Sequence, residues 1–285
     1  MFCAQRLNTS CSRKTKISYQ CNCGCVAYAS ARIRGIRARI FTGYSSSLCM
    51  ANSYFQFKQF IIHQDRCAMK VTTDACLFGA WVSARFDKRV ERGLDIGAGT
   101  GLLSLMLAQS GLAAIDAIEI QEADARQAVE NIEASPWAKQ VHLLQGDVLT
   151  HPFVKKYGLI VANPPFYESD LKGDREEKNI AHHDGGLRLK ELLLAVKELL
   201  EAAGVFYLLL PAKREAALMG AMRLLSLYPD QVAYVHQTEK HPAFRIMVRG
   251  SFRPSDLEPE TIYIRRNHEY SPEFVKLLKP YYLHF

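Results

Sequence analysis

Acidic residues are missing from the first 53 positions of this 285-residue chain, although those positions hold eight Lys and Arg. In the rest, 28 basic residues face all 29 acidic ones. The net charge of +7 therefore belongs to the N-terminal stretch and does not mark the remainder as a nucleic-acid binder. Cysteine is scarce after position 49, with Cys67 and Cys76 alone against six before it. That distribution excludes a disulfide-stapled fold for the long remainder. The early Cys21-Asn-Cys-Gly-Cys25 cluster lacks the paired spacing of zinc sites, so no metal is expected. Long apolar runs are missing too. Leu192–Val196 and Gly204–Leu210 fall far short of the roughly 20 residues of a spanning helix, so no membrane partner is expected and the cytoplasm is the expected location.

The first 49 residues are rich in Arg and Ser and show neither a helical nor a strand period. An organellar transit segment and a disordered RNA-binding arm share such a composition. The abrupt change at Met50-Ala-Asn-Ser-Tyr-Phe-Gln-Phe, where charge and patterning become ordinary, fits a start assigned too early. Residues 1–49 are thus expected to be a disordered or spurious extension, and residues 50–285 a single domain. With 48% hydrophobic residues in the chain, that length can bury a sizeable core.

From Met50 onward, short apolar runs alternate with amphipathic ones. Tyr54–Ile62 reads as a short strand or hairpin arm, and Thr73–Ala84 as a helix with a Thr or Asp cap. Strands are expected at Arg92–Ile96, Ala114–Ile120, Val141–Gln145, Tyr157–Ala162 and Val205–Leu210. Helices are expected at Leu102–Ser110, Gln121–Ala134, Leu187–Ala202 (stopped by Gly204) and Lys213–Ser226. Val232–His236 and Arg245–Phe252 read as late antiparallel partners. This alternation predicts an α/β fold, a parallel sheet with helices on both faces.

Leu94-Asp-Ile-Gly-Ala-Gly-Thr-Gly101 joins the first of these strands to its helix. Gly97, Gly99 and Gly101 permit tight turns and close approach of a ligand. The dinucleotide pattern G-x-G-x-x-G fails, because its third glycine would fall at Leu102. Glu119 ends the next strand, where an acid can bind the two hydroxyls of a ribose. Asp147 ends the third, where an acid can accept from an adenine amino group. Taken singly, the loop also suits a plain strand–helix turn, Glu119 a solvated charge and Asp147 a turn. Together they put an acid or a glycine loop at the carboxyl ends of three successive strands, where open α/β sheets bind ligands. This order resembles the class I S-adenosylmethionine-dependent methyltransferases. The resemblance implies a Rossmann-like sheet of seven mostly parallel strands with an antiparallel C-terminal strand. It also implies an S-adenosylmethionine site, with Asp95 and the loop near the amino-acid part, Glu119 on the ribose and Asp147 near the adenine.

The fourth strand runs into Asn163-Pro-Pro-Phe166. As structure alone this is a rigid turn that bars further strand pairing. Its chemistry is more specific. An exocyclic or amide nitrogen is a poor nucleophile because its lone pair is delocalised. The side-chain oxygen of Asn163 and the carbonyl of Pro164 can each accept an N–H and orient that lone pair toward a methyl donor. Pro165 stiffens the strand end, and Phe166 offers a face for stacking. The tetrapeptide resembles the N-P-P-[FY] motif of amino-methyltransferases that act on adenine N6, guanine N2 or release-factor glutamine.

The segment before the loop is more selective. Phe55-Gln-Phe-Lys-Gln-Phe60 and His63 through Trp81, with Ser135-Pro-Trp137 and the closing Tyr281-Tyr-Leu-His-Phe285, resemble the bacterial tRNA1(Val) adenine-N6 methyltransferases. That family modifies adenosine 37 beside the anticodon, and the similarity runs from about Phe55 to Phe285. It implies that Lys70 to Asp74 line the cofactor pocket, with Thr73 and Asp74 the main contacts; helix capping is the alternative role for both. Phe166 replaces the Tyr of some members, and either ring can stack.

A near-neutral tRNA enzyme must concentrate its basic residues locally. The candidates are Lys172, Arg175 and Lys178 after the tetrapeptide, and Arg245, Arg249, Arg253, Arg265 and Arg266 near the C-terminus. His182 and His183 lack ligand-spaced partners and read as rim residues. The expected partner is the tRNA anticodon loop, and the expected state a monomer or weak dimer. The competing enzyme is a guanine-N2 methyltransferase of ribosomal RNA; the competing class is a non-catalytic RNA-binding module on the same fold.

Overall fold

The structure, a computed structural model, describes residues 15–20, 26–31, 52–67, 69–164 and 189–285. The chain divides into two units, Met1–Ser53 and Tyr54–Phe285. In the first, β1 (Thr15–Gln20) pairs antiparallel with β2 (Val26–Ala31).

The second unit opens with a hairpin of β3 (Tyr54–Gln56) and β4 (Ile61–His63), followed by α1 (Thr73–Ser83). The cap of α1 is Thr72, whose side chain accepts from Ala75 N. Then come β5 (Arg92–Ile96), α2 (Leu102–Gln109), β6 (Ala114–Glu119), α3 (Glu122–Glu133), β7 (Val141–Gln145) and β8 (Tyr157–Ala162). After residue 188 follow α4 (Leu189–Leu199), β9 (Leu200–Pro211), α5 (Glu215–Leu224), β10 (Tyr228–Thr238) and β11 (Ala243–Ser251). The chain closes with β12 (Glu258–Arg266), β13 (Glu269–Tyr270) and α6 (Pro272–Leu278).

Among the described residues the main sheet has nine strands, in the order β13-β12-β10-β11-β9-β8-β5-β6-β7. β5 to β9 run parallel, and β11 is antiparallel to both β9 and β10. These are the seven strands expected from the sequence, with their antiparallel member. β12 and the two-residue β13 extend the edge beyond them. The chain winds outward from β5 through β6 and β7, then returns to β8 on the other side. The strand order therefore reverses between β5 and β8, and a crevice opens at their carboxyl ends.

β8 is buried along its whole length, as expected of a central parallel strand covered on both faces. Leu159 and Val161 face a core built with Phe78, Trp81, Leu105, Met106 and Phe274. Ile160 and Ala162 face a second core built with Leu192, Leu193, Val196, Leu218 and Met222. Helices α1, α2, α3 and α6 thus cover one face, and α4 and α5 the other. Cys67 and Cys76 are buried free thiols, each pushed up to about 12 by burial and so unreactive near neutrality.

One boundary differs from the sequence reading. Gly204 looked like the stop of a helix ending at Ala202, but α4 ends at Leu199 and Leu200 already pairs with Tyr157. The register then slips to Leu159↔Val205, so Glu201–Gly204 form a bulge inside β9. Helix-favouring alanines in that bulge imitate a helix end.

The arm is fixed to the far end of the chain. Phe57 bridges to Tyr282, and Lys58 N donates to Tyr281 O at 2.8 Å. The Phe57 and Phe60 rings stack at 4.5 Å.

Candidate active site

The glycine loop has left-handed backbone at Gly97 (φ 75°), Gly99 (φ 53°) and Gly101 (φ 81°). A Cβ built on Gly97 or Gly99 would meet nothing within 4 Å. Glycine is needed there for the backbone, and open space lies above it for a ligand. Gly97 N and Ala98 N donate to Ile118 O at 2.9 and 3.1 Å. Gly99 N donates to Glu119 Oε2 at 2.9 Å, and Gln121 N to Glu119 Oε1 at 2.8 Å. The Glu119 carboxylate, 6% exposed, braces the loop from the next strand. Each of its oxygens keeps a further lone pair for a hydroxyl.

Asp95 is fully buried below the loop. Its Oδ2 accepts from Ser104 N at 3.1 Å and Ser104 Oγ at 2.7 Å, while Oδ1 finds no partner among the described residues. Burial pushes the Asp95 carboxyl up to about 6; the Ser104 bonds oppose the rise and the Glu119 charge adds to it. The unfolded carboxyl ionises near 4 and the folded one near 6, so wild type loses stability as pH rises through that window. Against Asp95→Asn, wild type should gain roughly 2 kcal/mol between pH 7 and pH 4. Urea unfolding of both proteins at the two pH values measures this; a pH-independent difference would contradict it.

Asp147 follows β7, half-buried, with Oδ1 accepting from Leu149 N at 2.9 Å. Asn163 and Pro164 follow β8 directly, Asn163 partly exposed and Pro164 buried. The ladder of β8 with β9 ends at Ala162↔Leu208, so Asn163 lies just past the last paired position. Asp95, Gly97 to Gly101, Glu119, Asp147 and Asn163 thus share the carboxyl edge of β5 to β8. Pro165 and Phe166 lie outside the described residues, as do Lys172, Arg175, Lys178, His182 and His183.

The arm residues are placed by other contacts. Lys70 Nζ donates to the carbonyls of Gln64 and Cys67, clipping the turn before α1. Thr73 is exposed on the first turn of α1. Asp74 Oδ2 accepts from Arg245 Nε at 2.7 Å. Several of the C-terminal arginines are already engaged. Arg249 pairs with Asp230 at 3.0 Å and is half-buried, so it is removed from the candidate RNA contacts. Arg266 pairs with Glu273 and Glu239. Arg265 donates to His268 O and lies over the Tyr270 ring. Two contributors escaped the sequence reading, Ser104 beneath the loop and Asn131 on α3. Ser104 sits nine residues past Asp95 on the following helix, a spacing that could have flagged it; Asn131 gave no such signal.

Residues 80–209 match the family model "Methyltransferase small domain". A tRNA1(Val) (adenine(37)-N6)-methyltransferase of Dyadobacter fermentans is 40% identical over 247 residues, spanning 82% of this chain and 99% of the relative. Proteins of the same name from Parabacteroides distasonis and Trichodesmium erythraeum are 39% and 37% identical, over 82% and 83% of this chain. The chain belongs to the tRNA1(Val) (adenine(37)-N6)-methyltransferase family. Its fold is also that of a predicted O-methyltransferase from Agrobacterium tumefaciens (TM-score 0.57, 16% identity), covering 72% of this chain and 95% of that one.

The residues present fit the S-adenosylmethionine that this family and fold imply. The buried, unpartnered Asp95 Oδ1 suits an ammonium group, since such an oxygen is costly when left alone. The open loop suits close approach of the ligand backbone, and the Glu119 carboxylate suits a diol. Among the described residues no group of His, Cys, Asp or Glu could hold a metal ion. No helix among them is long and apolar enough to cross a membrane.

Proposed function

We propose that this protein methylates N6 of adenosine 37 in tRNA1(Val), with S-adenosylmethionine as the methyl donor. The observation that carries the reading is the position of Asn163-Pro164 at the end of β8, beside the braced glycine loop on β5. When bound, S-adenosylmethionine supplies an electrophilic methyl on a sulfonium. The chain's own residues do the rest. Gly97, Gly99 and Gly101 let the backbone approach the cofactor, and Asp95 faces its ammonium end. Glu119 takes the ribose hydroxyls, Asp147 the adenine amino group, and Lys70, Thr73 and Asp74 form the wall at the start of α1.

The target base leaves the anticodon-loop stack at a cost of a few kcal/mol, less than from a duplex. Asn163 Oδ1 and Pro164 O each accept a hydrogen bond from one N6–H and so turn the lone pair toward the methyl group. Phe166 is assigned to stacking on the base, and Pro165 to stiffening the tetrapeptide. After transfer N6 carries positive charge and is acidic enough to release a proton to water, so no strong base is required. The working enzyme is residues 50–285, in the cytoplasm where tRNA is found, acting as a monomer or weak dimer. The relatives' near-complete coverage by 82% of this chain supports that boundary.

Incubation with bulk tRNA and methyl-labelled S-adenosylmethionine, followed by nucleoside analysis, tests the reading. N6-methyladenosine is expected. N2-methylguanosine in its place would turn the assignment to the guanine enzyme, and no incorporation would favour a binding module.

A further inference from the structure

One buried side chain ties the arm to the glycine loop. Asn131, on α3, is fully buried. Its Oδ1 accepts from His63 N at 2.8 Å, and its Nδ2 donates to His63 O at 2.9 Å. The same Nδ2 donates to Thr100 O, also at 2.9 Å. His63 ends β4, and Thr100 lies between Gly99 and Gly101. Both amide donor positions are used, and the paired bonds to His63 repeat the exchange by which one strand residue pairs with its neighbour. Because the group is fully buried, water cannot take its place.

The chain beyond His63 stays against the same helix. Buried Gln127 accepts from Arg66 N at 3.3 Å, and Gln64 Oε1 accepts from Val71 N at 2.7 Å. That path leads directly into Lys70–Asp74. Gln127 bonds to the arm and to Glu130, whereas Asn131 bonds to both the arm and the loop.

We propose that Asn131 is a positioning residue that registers the cofactor loop against the arm, so that the loop and Lys70–Asp74 close on S-adenosylmethionine as one unit. This rests on the reading of the strand ends as the cofactor site. Asn163 follows β8, on the other side of β5 from β6 and α3, so the effect falls on cofactor binding and not on the chemical step.

Asn131→Asp keeps the size and the acceptor but turns the donor toward His63 O and Thr100 O into a carboxylate oxygen. Gln127→Leu removes an arm contact from the same helix without touching the loop. For Asn131→Asp, KM and Kd for S-adenosylmethionine should rise about tenfold or more, while kcat at saturation and KM for tRNA stay within about threefold. Gln127→Leu should leave the Kd within about threefold. Hydrogen exchange on wild type needs no variant and decides the matter if Asn131→Asp does not fold. On addition of S-adenosylmethionine, the amides of Gly99 and His63 should gain protection together. A lower kcat with unchanged cofactor KM in Asn131→Asp, equal effects from Gln127→Leu, or protection of Gly99 without His63 would overturn the inference. Absence of any heat with S-adenosylmethionine in wild type would instead overturn the cofactor reading beneath it.

Discussion

Asn163→Ala should lower kcat on the order of 10³-fold while the affinity for S-adenosylmethionine, measured by calorimetry, changes less than about twofold. The adenine amino group is held flat by delocalisation, and its lone pair becomes available only when both N–H bonds are directed elsewhere. Removing one of two acceptors leaves the nitrogen free to rotate back into conjugation. The proposed cofactor contacts lie at the ends of β5, β6 and β7 and at the start of α1, with none on Asn163. Asn163 is partly exposed and sits past the Ala162↔Leu208 pair, so the melting temperature should hardly move. Asn163→Asp keeps an acceptor of the same reach and should retain more activity than the alanine variant. Loss of cofactor affinity together with turnover would show that Asn163 belongs to the cofactor pocket.

Glu119→Ala should weaken S-adenosylmethionine binding by about 100-fold. Two effects combine. In the proposed cofactor site the ribose loses a charged acceptor for its hydroxyls, and hydrogen bonds to charged groups are worth about 1.5–3 kcal/mol each. The loop also loses its brace, since Gly99 N and Gln121 N both donate to this carboxylate. Glu119→Gln should fall between, because an amide can accept from one of these N–H groups but opposes the other with its own donor. The kcat at saturating cofactor should fall far less than in Asn163→Ala. A Kd within about threefold of wild type would contradict the assigned role.

The placement of the candidate site residues at the strand ends was legible because each rests on local chemistry. A glycine loop between a strand and a helix reads from adjacent residues, and so does an acid at a strand end. The unbroken apolar run Tyr157–Ala162 announced a strand covered on both faces, and the proline pair after it announced the strand's end. What was missed depends on partners distant in sequence. Asp74 meets Arg245 across 171 positions, and His63 meets Asn131 across 68. Nothing near either residue signals the contact. Arg249 stood among the candidate RNA contacts because the register that sets it beside Asp230 exists only in the folded sheet. The β9 bulge misled for a related reason, since pairing of Leu200 with Tyr157 overrides the helix preference of Ala202 and Ala203. β12 lay beyond the last strand anticipated, although its buried Ile262 and Ile264 alternate as a half-covered strand should.

The most direct test is methyl transfer to a tRNA1(Val) transcript, compared with the same transcript carrying guanosine at position 37. About one N6-methyladenosine per adenosine-37 transcript is expected, and background incorporation with guanosine 37. Equal incorporation into both, or methyl groups recovered on guanosine N2, would contradict it.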